Sequence, residues 1–203
     1  MSDVFRRECP ASPRTAFRQP LRGLFVGRVS REKGIFELLA AMKVMKDRQV
    51  PVTMNLVGAC SSDVTAAARE MGLGDCVIFS GLTRNEEELH RHYQEADFFC
   101  LPTWTEGFPR VLYEAMSHAL PCLTTMVGGI PSRMQDGKNC YALKVREADS
   151  IVAAMTRLAE SPAEMARLSE ASLQTFRHWK AKFEGRSHAG QLYAELENLD
   201  KGK

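Results

Sequence analysis

The chain has no apolar run long enough to cross a bilayer. Its longest uncharged stretch, Ala115 to Ser132, holds His118, two prolines and a Gly-Gly pair, which would make a poor spanning helix. No apolar core follows the N-terminal arginines, so the start does not read as a secretory signal. Net charge is small: 27 Lys and Arg against 25 Asp and Glu give +2, too little to argue for nucleic acid. The six cysteines (Cys9, Cys60, Cys76, Cys100, Cys122, Cys140) include no C-x-x-C pair. They are far apart and mostly in or beside expected strands. Buried reduced thiols in a cytoplasmic protein are therefore expected, rather than disulfides or zinc ligands. Neither G-x-G-x-x-G nor the Walker order G-x-x-x-x-G-K-[ST] occurs, and there is no Asp-x-Asp.

What remains is an ordinary globular composition, 44% hydrophobic and 26% charged over 203 residues, fitting one large α/β domain. Short apolar runs alternate with helical patterns. Leu24–Val26, Val52–Val57, Val77–Phe79, Phe98–Leu101 and Cys122–Met126 read as strands. Between them Ile35, Leu38, Leu39, Met42 and Met45 recur on one helix face, and helices are expected over Ser62–Met71, through Leu89, Tyr93 and Ala96, and from Pro109. From Ile151 the pattern is wholly helical, through Trp179 to Leu199. Strands alternating with helices require right-handed crossovers and a parallel sheet covered on both faces. The expected fold class is thus α/β, a Rossmann-like parallel sheet with a helical C-terminal tail and no internal linker or repeat. Residues 1–20, carrying Arg6, Arg7, Arg14 and Arg18, read with Arg22 as a basic arm that is solvated and mobile.

Three segments carry chemistry. The segment T-E-G-F-P-R-V-L-Y-E-A-M, Thr105 to Met116, follows the strand Phe98–Leu101. It places Glu106 in a Gly/Pro-marked loop and Glu114 inside a helix that Pro109 should open at its first position. Two carboxylates thus fall at the carboxyl edge of the sheet, where such folds bind ligands. A sugar or ribose ring, with its vicinal hydroxyls, suits that pair. The second segment, Gly27 to Gly34 (G-R-V-S-R-E-K-G), links the first strand to the first long helix. Arg28 and Lys33 there add fixed positive charge beside a helix N-terminus, which already favours anions. A diphosphate cradle and a solvated loop with two ordinary basic residues are both open readings. The third, V-G-G-I-P at Val127–Pro131, can present backbone amides as an anion nest or form a tight turn; alone, it favours the turn.

Together and in this order the motifs resemble the C-terminal, donor-binding domain of retaining glycosyltransferases with the GT-B fold (family four, or group 1). The residues that carry the resemblance are G-R-V-S-R-E-K-G, A-D-F-F-C-L-P-T, E-G-F-P-R-V-L-Y-E-A-M and L-P-C-L-T-T-M-V-G-G-I-P, within a domain spanning 21–199. The resemblance implies a nucleotide-diphosphate sugar as donor and transfer with retention of anomeric configuration. Arg28 and Lys33 would bind the diphosphate and stabilise charge on the leaving group. Glu106 would contact the transferred sugar, and Glu114 would accept from the ribose diol. The backbone around Gly107, Phe108, Pro109, Gly129 and Ile130 would line the sugar and phosphate pockets, and Ser80, Gly81 and Leu82 would seat the base. Many transferases place a divalent metal on an Asp-x-Asp motif. Without one, Arg28 and Lys33 would supply the charge, so neither metal nor cofactor is expected.

Departures from the family pattern bear on preference. Ser132 stands where the family often has Glu after G-G-I-P, and Ala119 and Cys140 stand where it often has Gly. The resemblance implies that the acceptor-binding N-terminal lobe of the family lies outside this sequence. A partner chain supplying that lobe, or a homodimer, is therefore expected, with the apolar stripe Leu192, Tyr193, Leu196 and Leu199 as the face to be covered. Two further readings stay open: a non-catalytic nucleotide-sugar-binding subunit or pseudoenzyme, and an epimerase or phosphorylase relative of the same fold. His90, His92, His178 and His188 are expected on the surface, and His118 in a structural role.

Overall fold

The computed structural model describes residues 12–14 and 19–183. Six strands form one sheet: β1 (Leu21–Val26), β2 (Val52–Val57), β3 (Val77–Gly81), β4 (Phe98–Leu101), β5 (Cys122–Thr125) and β6 (Tyr141–Leu143). Their spatial order is β3-β2-β1-β4-β5-β6, and every pairing is parallel. Six α-helices complete the chain: α1 (Ile35–Asp47), α2 (Ser62–Glu70), α3 (Glu86–Glu95), α4 (Arg110–Ser117), α5 (Ala148–Glu160) and α6 (Pro162–Phe183). This is the Rossmann-like parallel sheet with a helical C-terminal region that the strand–helix alternation predicts. The winding runs outward from β1 through β2 to β3, then reverses to β4 and β5. Right-handed crossovers therefore put α1 and α2 on one face and α3 and α4 on the other. α5 packs on α1, and α6 on α4.

Burial explains why the central strands were easy to read. All residues of β4 and β5 are buried, which needs continuous apolar or small residues on both faces. The edge strand β3 instead alternates, with Ile78 55% exposed. At the centre, Gly23 leaves room for its neighbours: a Cβ there would lie 2.1 Å from Met54 Sδ and 2.5 Å from Phe98 Cζ. Phe25, Phe98 and Phe99 are fully buried, each contributing about 1.5–3 kcal/mol by transfer from water.

Several expectations are refined. Pro109 is the N-cap of α4 (φ −73°, ψ 129°) and not its first helical residue. Its φ suits either place, but ψ keeps it extended. Strand β6 has only three residues and no periodic signal, so the sequence reading passes over it. The helical tail is two helices, broken at Ser161 (φ −130°, ψ 97°), because the residue before Pro162 is pushed out of the α region. Its continuation to Leu199, the stripe Leu192–Leu199, His188 and Cys9 lie outside the described residues, as do Arg6, Arg7 and Arg18. Arg14, expected in a mobile arm, is anchored: its N–H donates to Ser169 Oγ (2.7 Å) and its guanidinium to the carbonyls of Tyr93 and Gln94 (2.8 and 3.0 Å). His90 and His92, expected on the surface, are half-buried and bonded to His118 (2.7 Å) and Asn55 (3.1 Å). His178 is exposed and His118 is buried. Cys60, Cys76, Cys100, Cys122 and Cys140 are free thiols, and burial pushes that of Cys122 up to about 12. Among the described residues no helix is long and apolar enough to cross a membrane.

The start of α6 is pinned by Glu164. The Tyr141 hydroxyl donates to it, Arg167 donates through Nε and Nη2 (3.1 and 2.8 Å), and Arg157 lies 3.4 Å away. The bonds from Arg167 and Tyr141 hold its carboxyl at about 2, below the ordinary 4.5. The folded value is depressed, so its contribution is complete above 4.5 and is lost as pH falls towards 2. The side chain is 24% exposed, and solvent screening limits that contribution to about 1 kcal/mol. Glu164→Gln should therefore lower the urea midpoint near neutral pH, and the gap from the wild type should close as pH is taken from 4.5 to 2. A gap independent of pH would mean that the charge is not what Glu164 contributes.

Candidate functional site

The winding reverses between β1 and β4, so α1 and α4 leave these strands for opposite faces, and the carboxyl edge between them is where such folds form a ligand crevice. The loop after β1 is the segment Gly27–Gly34. It is stitched to the loop after β2 by Val29 N–H to Ala59 O (2.9 Å) and Ser61 N–H to Val29 O (3.3 Å). It then turns through a 3₁₀ turn at Arg31–Lys33 and ends at Gly34 in the left-handed region (φ 71°). Glycine is required twice over, since a Cβ there would lie 2.0 Å from Pro102 O. That close approach presses the turn onto the loop after β4, where Trp104 N–H donates to Glu32 O (2.9 Å).

The two loops meet in an ion pair between Lys33 Nζ and Glu106 Oε1. Both side chains are largely buried, at 26% and 20% exposed. The loop after β5 closes the third side. Gly128 (φ 55°) sits so near that a Cβ would be 1.6 Å from Glu106 O, and Gly129 N–H donates to Gly107 O (2.8 Å). Lys33, Glu106, Gly107, Gly128 and Gly129 thus form one contiguous group. The Gly-Gly pair is the tight turn of the two readings: Gly129 N–H is bonded to Gly107, and Ile130 N–H to Val127 O (3.1 Å), with Ile130 buried. Both amides are already occupied within the protein.

Two helices point their N-termini at this crevice, α1 behind Gly34 and α4 behind Pro109. Neither N-cap residue has a side-chain acceptor, whereas Asn85 caps α3 by accepting from Glu87 and Glu88. No side chain caps either end, although in α4 the Leu112 N–H donates back to Pro109 O (3.1 Å). Arg28, in the same loop as Lys33, is exposed. Its charge, with that of Arg31, adds to the backbone N–H and Ser30 hydroxyl bonds that hold the Glu32 carboxyl below its ordinary range.

Glu114 stands apart from the ion pair, in the second turn of α4. It is 17% exposed, accepts from Tyr93 Oη at 2.9 Å and lies 4.0 Å from Arg110 Nη2. Ser80, Gly81 and Leu82 end β3 at the same sheet edge. Ser80 Oγ donates to Asn55 Oδ1 (2.7 Å), Gly81 O accepts from Gly58 N–H (2.7 Å), and Leu82 is 65% exposed. No hydrogen bond links Arg28, Glu114 or Ser80–Leu82 to the Lys33–Glu106 pair. The sequence reading missed Arg133, whose guanidinium lies 4.5, 5.3 and 4.6 Å from the ring centroids of Phe108, Tyr113 and Trp179. It also missed Tyr93 as a partner of Glu114. Neither has a local signal, because the groups that give each its place are distant in sequence.

Similarity to known proteins bears on this arrangement. A family model described as glycosyl transferases group 1 matches residues 20–161. The chain is 29% identical over 160 residues to the amylovoran biosynthesis glycosyltransferase AmsK of Erwinia amylovora, covering 75% of this chain and 39% of that protein. It therefore spans about two fifths of that relative's length. Its structure resembles sucrose-phosphate synthase from Thermosynechococcus elongatus with a TM-score of 0.75 at 26% identity, over 88% of this chain and 46% of that one. Anabaena HepE, solved in complex with UDP, shares the fold with a TM-score of 0.73 at 20% identity, over 88% of this chain and 49% of that one. With the family match running from the start of β1 to the end of α5, the chain belongs to the group 1 glycosyl transferases.

Proposed function

We propose that this chain is the donor-binding half of a retaining glycosyltransferase that takes a nucleotide-diphosphate sugar. The observation that carries the reading is the Lys33–Glu106 pair, set between two helix N-termini at the reversal of the sheet. It puts a cation suited to diphosphate next to a carboxylate suited to sugar hydroxyls, between two helix ends that no side chain caps. Lys33, helped by Arg28, takes the diphosphate, and negative charge that builds on the leaving oxygens is stabilised there. As the diphosphate shares Lys33, Glu106 turns to the hydroxyls of the transferred sugar. Gly107, Phe108 and Pro109 line the sugar pocket beside Glu106. Glu114 accepts from the ribose diol, and Ser80, Gly81 and Leu82 lie on the side of the base. HepE, which shares this fold, is solved with UDP, which supports a nucleotide as ligand. The acceptor comes from a second lobe, on a partner chain or a longer form of this one. Positioning across such a cleft can supply roughly 7–11 kcal/mol of the barrier.

Three outcomes test the reading. Lys33→Ala should weaken nucleoside-diphosphate binding by about 1.5–3 kcal/mol, as for a hydrogen bond to a charged group, and leave the bare nucleoside almost unchanged. Calorimetry giving equal losses for both would remove Lys33 from the diphosphate.

Glu106→Gln should separate two ligands that share the diphosphate. It releases Lys33 from its partner, so the nucleoside diphosphate should bind a few-fold more tightly, while the nucleotide sugar should bind less tightly. Parallel losses for both would show that Glu106 acts through the loop's structure and not through the sugar.

Donor binding should also be unchanged in excess EDTA, because Arg28 and Lys33 carry the charge. A strict need for magnesium or manganese would overturn that assignment.

A further inference from the structure

Glu114 is held by a circuit of aromatic side chains between α3 and α4. Tyr93, 1% exposed on α3, donates its hydroxyl to Glu114 Oε2 at 2.9 Å. The ring that carries the hydroxyl is fixed on both sides. It stacks on His118 with centroids 5.0 Å apart and planes at 17°, and it contacts Phe99 at 6.1 Å. His118 is fixed in turn: its Nδ1 lies 2.7 Å from Glu114 O, and its Nε2 lies 2.7 Å from His90 Nδ1. The backbone carbonyl and the side chain of Glu114 are thus both gripped by one stack, through His118 and Tyr93 respectively.

We infer that Tyr93 is a positioning residue that sets Glu114 for the nucleotide's ribose; this rests on the reading of Glu114 as the ribose acceptor. A glutamate has three rotatable bonds, and leaving them free would cost binding energy each time they were ordered. The Tyr93 bond takes one lone pair of one carboxylate oxygen and fixes the plane of the group. The outer oxygen, Oε1, stays on the open side near Arg110 with its lone pairs available to a diol. Burial and the adjacent carboxylate raise the Tyr93 phenol well above its ordinary value, so it remains a donor throughout the physiological range. A purely apolar packing role would not need the hydroxyl at all.

The test uses the full chain and calorimetry with UDP, ADP and GDP, each beside its 2′-deoxy counterpart; the tightest-binding pair is then carried forward. The readout is the ratio of ribo to deoxy affinity, which general loosening of the fold would leave alone. Tyr93→Phe should lower that ratio about three- to tenfold, the worth of one ordinary hydrogen bond, with little change for the deoxy ligand. Glu114→Gln should lower it as well, and the double variant should fall no further than the larger single loss, as expected for two groups acting as one unit. If Glu114→Gln lowers the ratio while Tyr93→Phe leaves it intact, or weakens both ligands equally, Tyr93 is only a packing residue and the ribose reading survives. If Glu114→Gln leaves the ratio unchanged, the ribose reading itself falls. Should Tyr93→Phe fail to fold, uniform 3-fluorotyrosine labelling gives the same answer. The Tyr93 resonance, assigned by replacing Tyr113, Tyr141 and Tyr193 with Phe, should shift more on adding the ribonucleotide than its deoxy form. Equal shifts would overturn the inference.

Discussion

The site depends on backbone approaching backbone where side chains would not fit. Gly34 lies against Pro102 O, and Gly128 against the carbonyl of Glu106. Each contact is closer than any Cβ allows, and each residue also has a positive φ that other residues adopt only at a cost. These two contacts lock the loops after β1, β4 and β5 into one body. The Lys33–Glu106 pair is a consequence. Two flexible, largely buried side chains meet because the backbone contacts bring their loops together, which leaves only side-chain entropy to be lost in forming the pair.

Much of this was legible in the chain. Phe98–Leu101 was bounded to the residue because a strand buried on both faces reads as an unbroken apolar run, and Val52–Val57 because its apolar residues alternate with half-buried Thr53 and Asn55. The loops carrying Arg28, Lys33 and Glu106 were legible too, because Gly and Pro mark them. What stayed hidden was anything depending on distant pairing. Lys33 and Glu106 are 73 residues apart, and Tyr93 and Glu114 are 21 apart on different helices. No local pattern announces either contact. Strand β6 was missed for another reason: three residues are too few to show a period, and Tyr141–Leu143 becomes a strand only because β5 offers an edge to pair with. The histidines misled because alternating polar residues on α3 look solvated in one dimension, yet His90 and His92 face neighbours that the fold supplies.

The charges explain how a nearly neutral chain can present a site for a multiply charged anion. Formal charge across the protein nearly cancels, so attraction must come from local placement. Helix α3 begins with Glu86, Glu87 and Glu88 under an Asn85 cap, a start whose dipole is already satisfied. Helices α1 and α4 begin with Gly34 and Pro109, which can satisfy nothing by side chain, and α4 has no acid in its first turn. Lacking a capping side chain costs a helix roughly 1 kcal/mol at a residue such as alanine and only a few tenths at glycine. That cost recurs at the two helices flanking the reversal point, where an anion bound between them would recover it. The same three-loop body that fixes Lys33 therefore sits between two helix ends that no side chain caps. On the proposed function, a phosphate group bound there would gain from both helix dipoles.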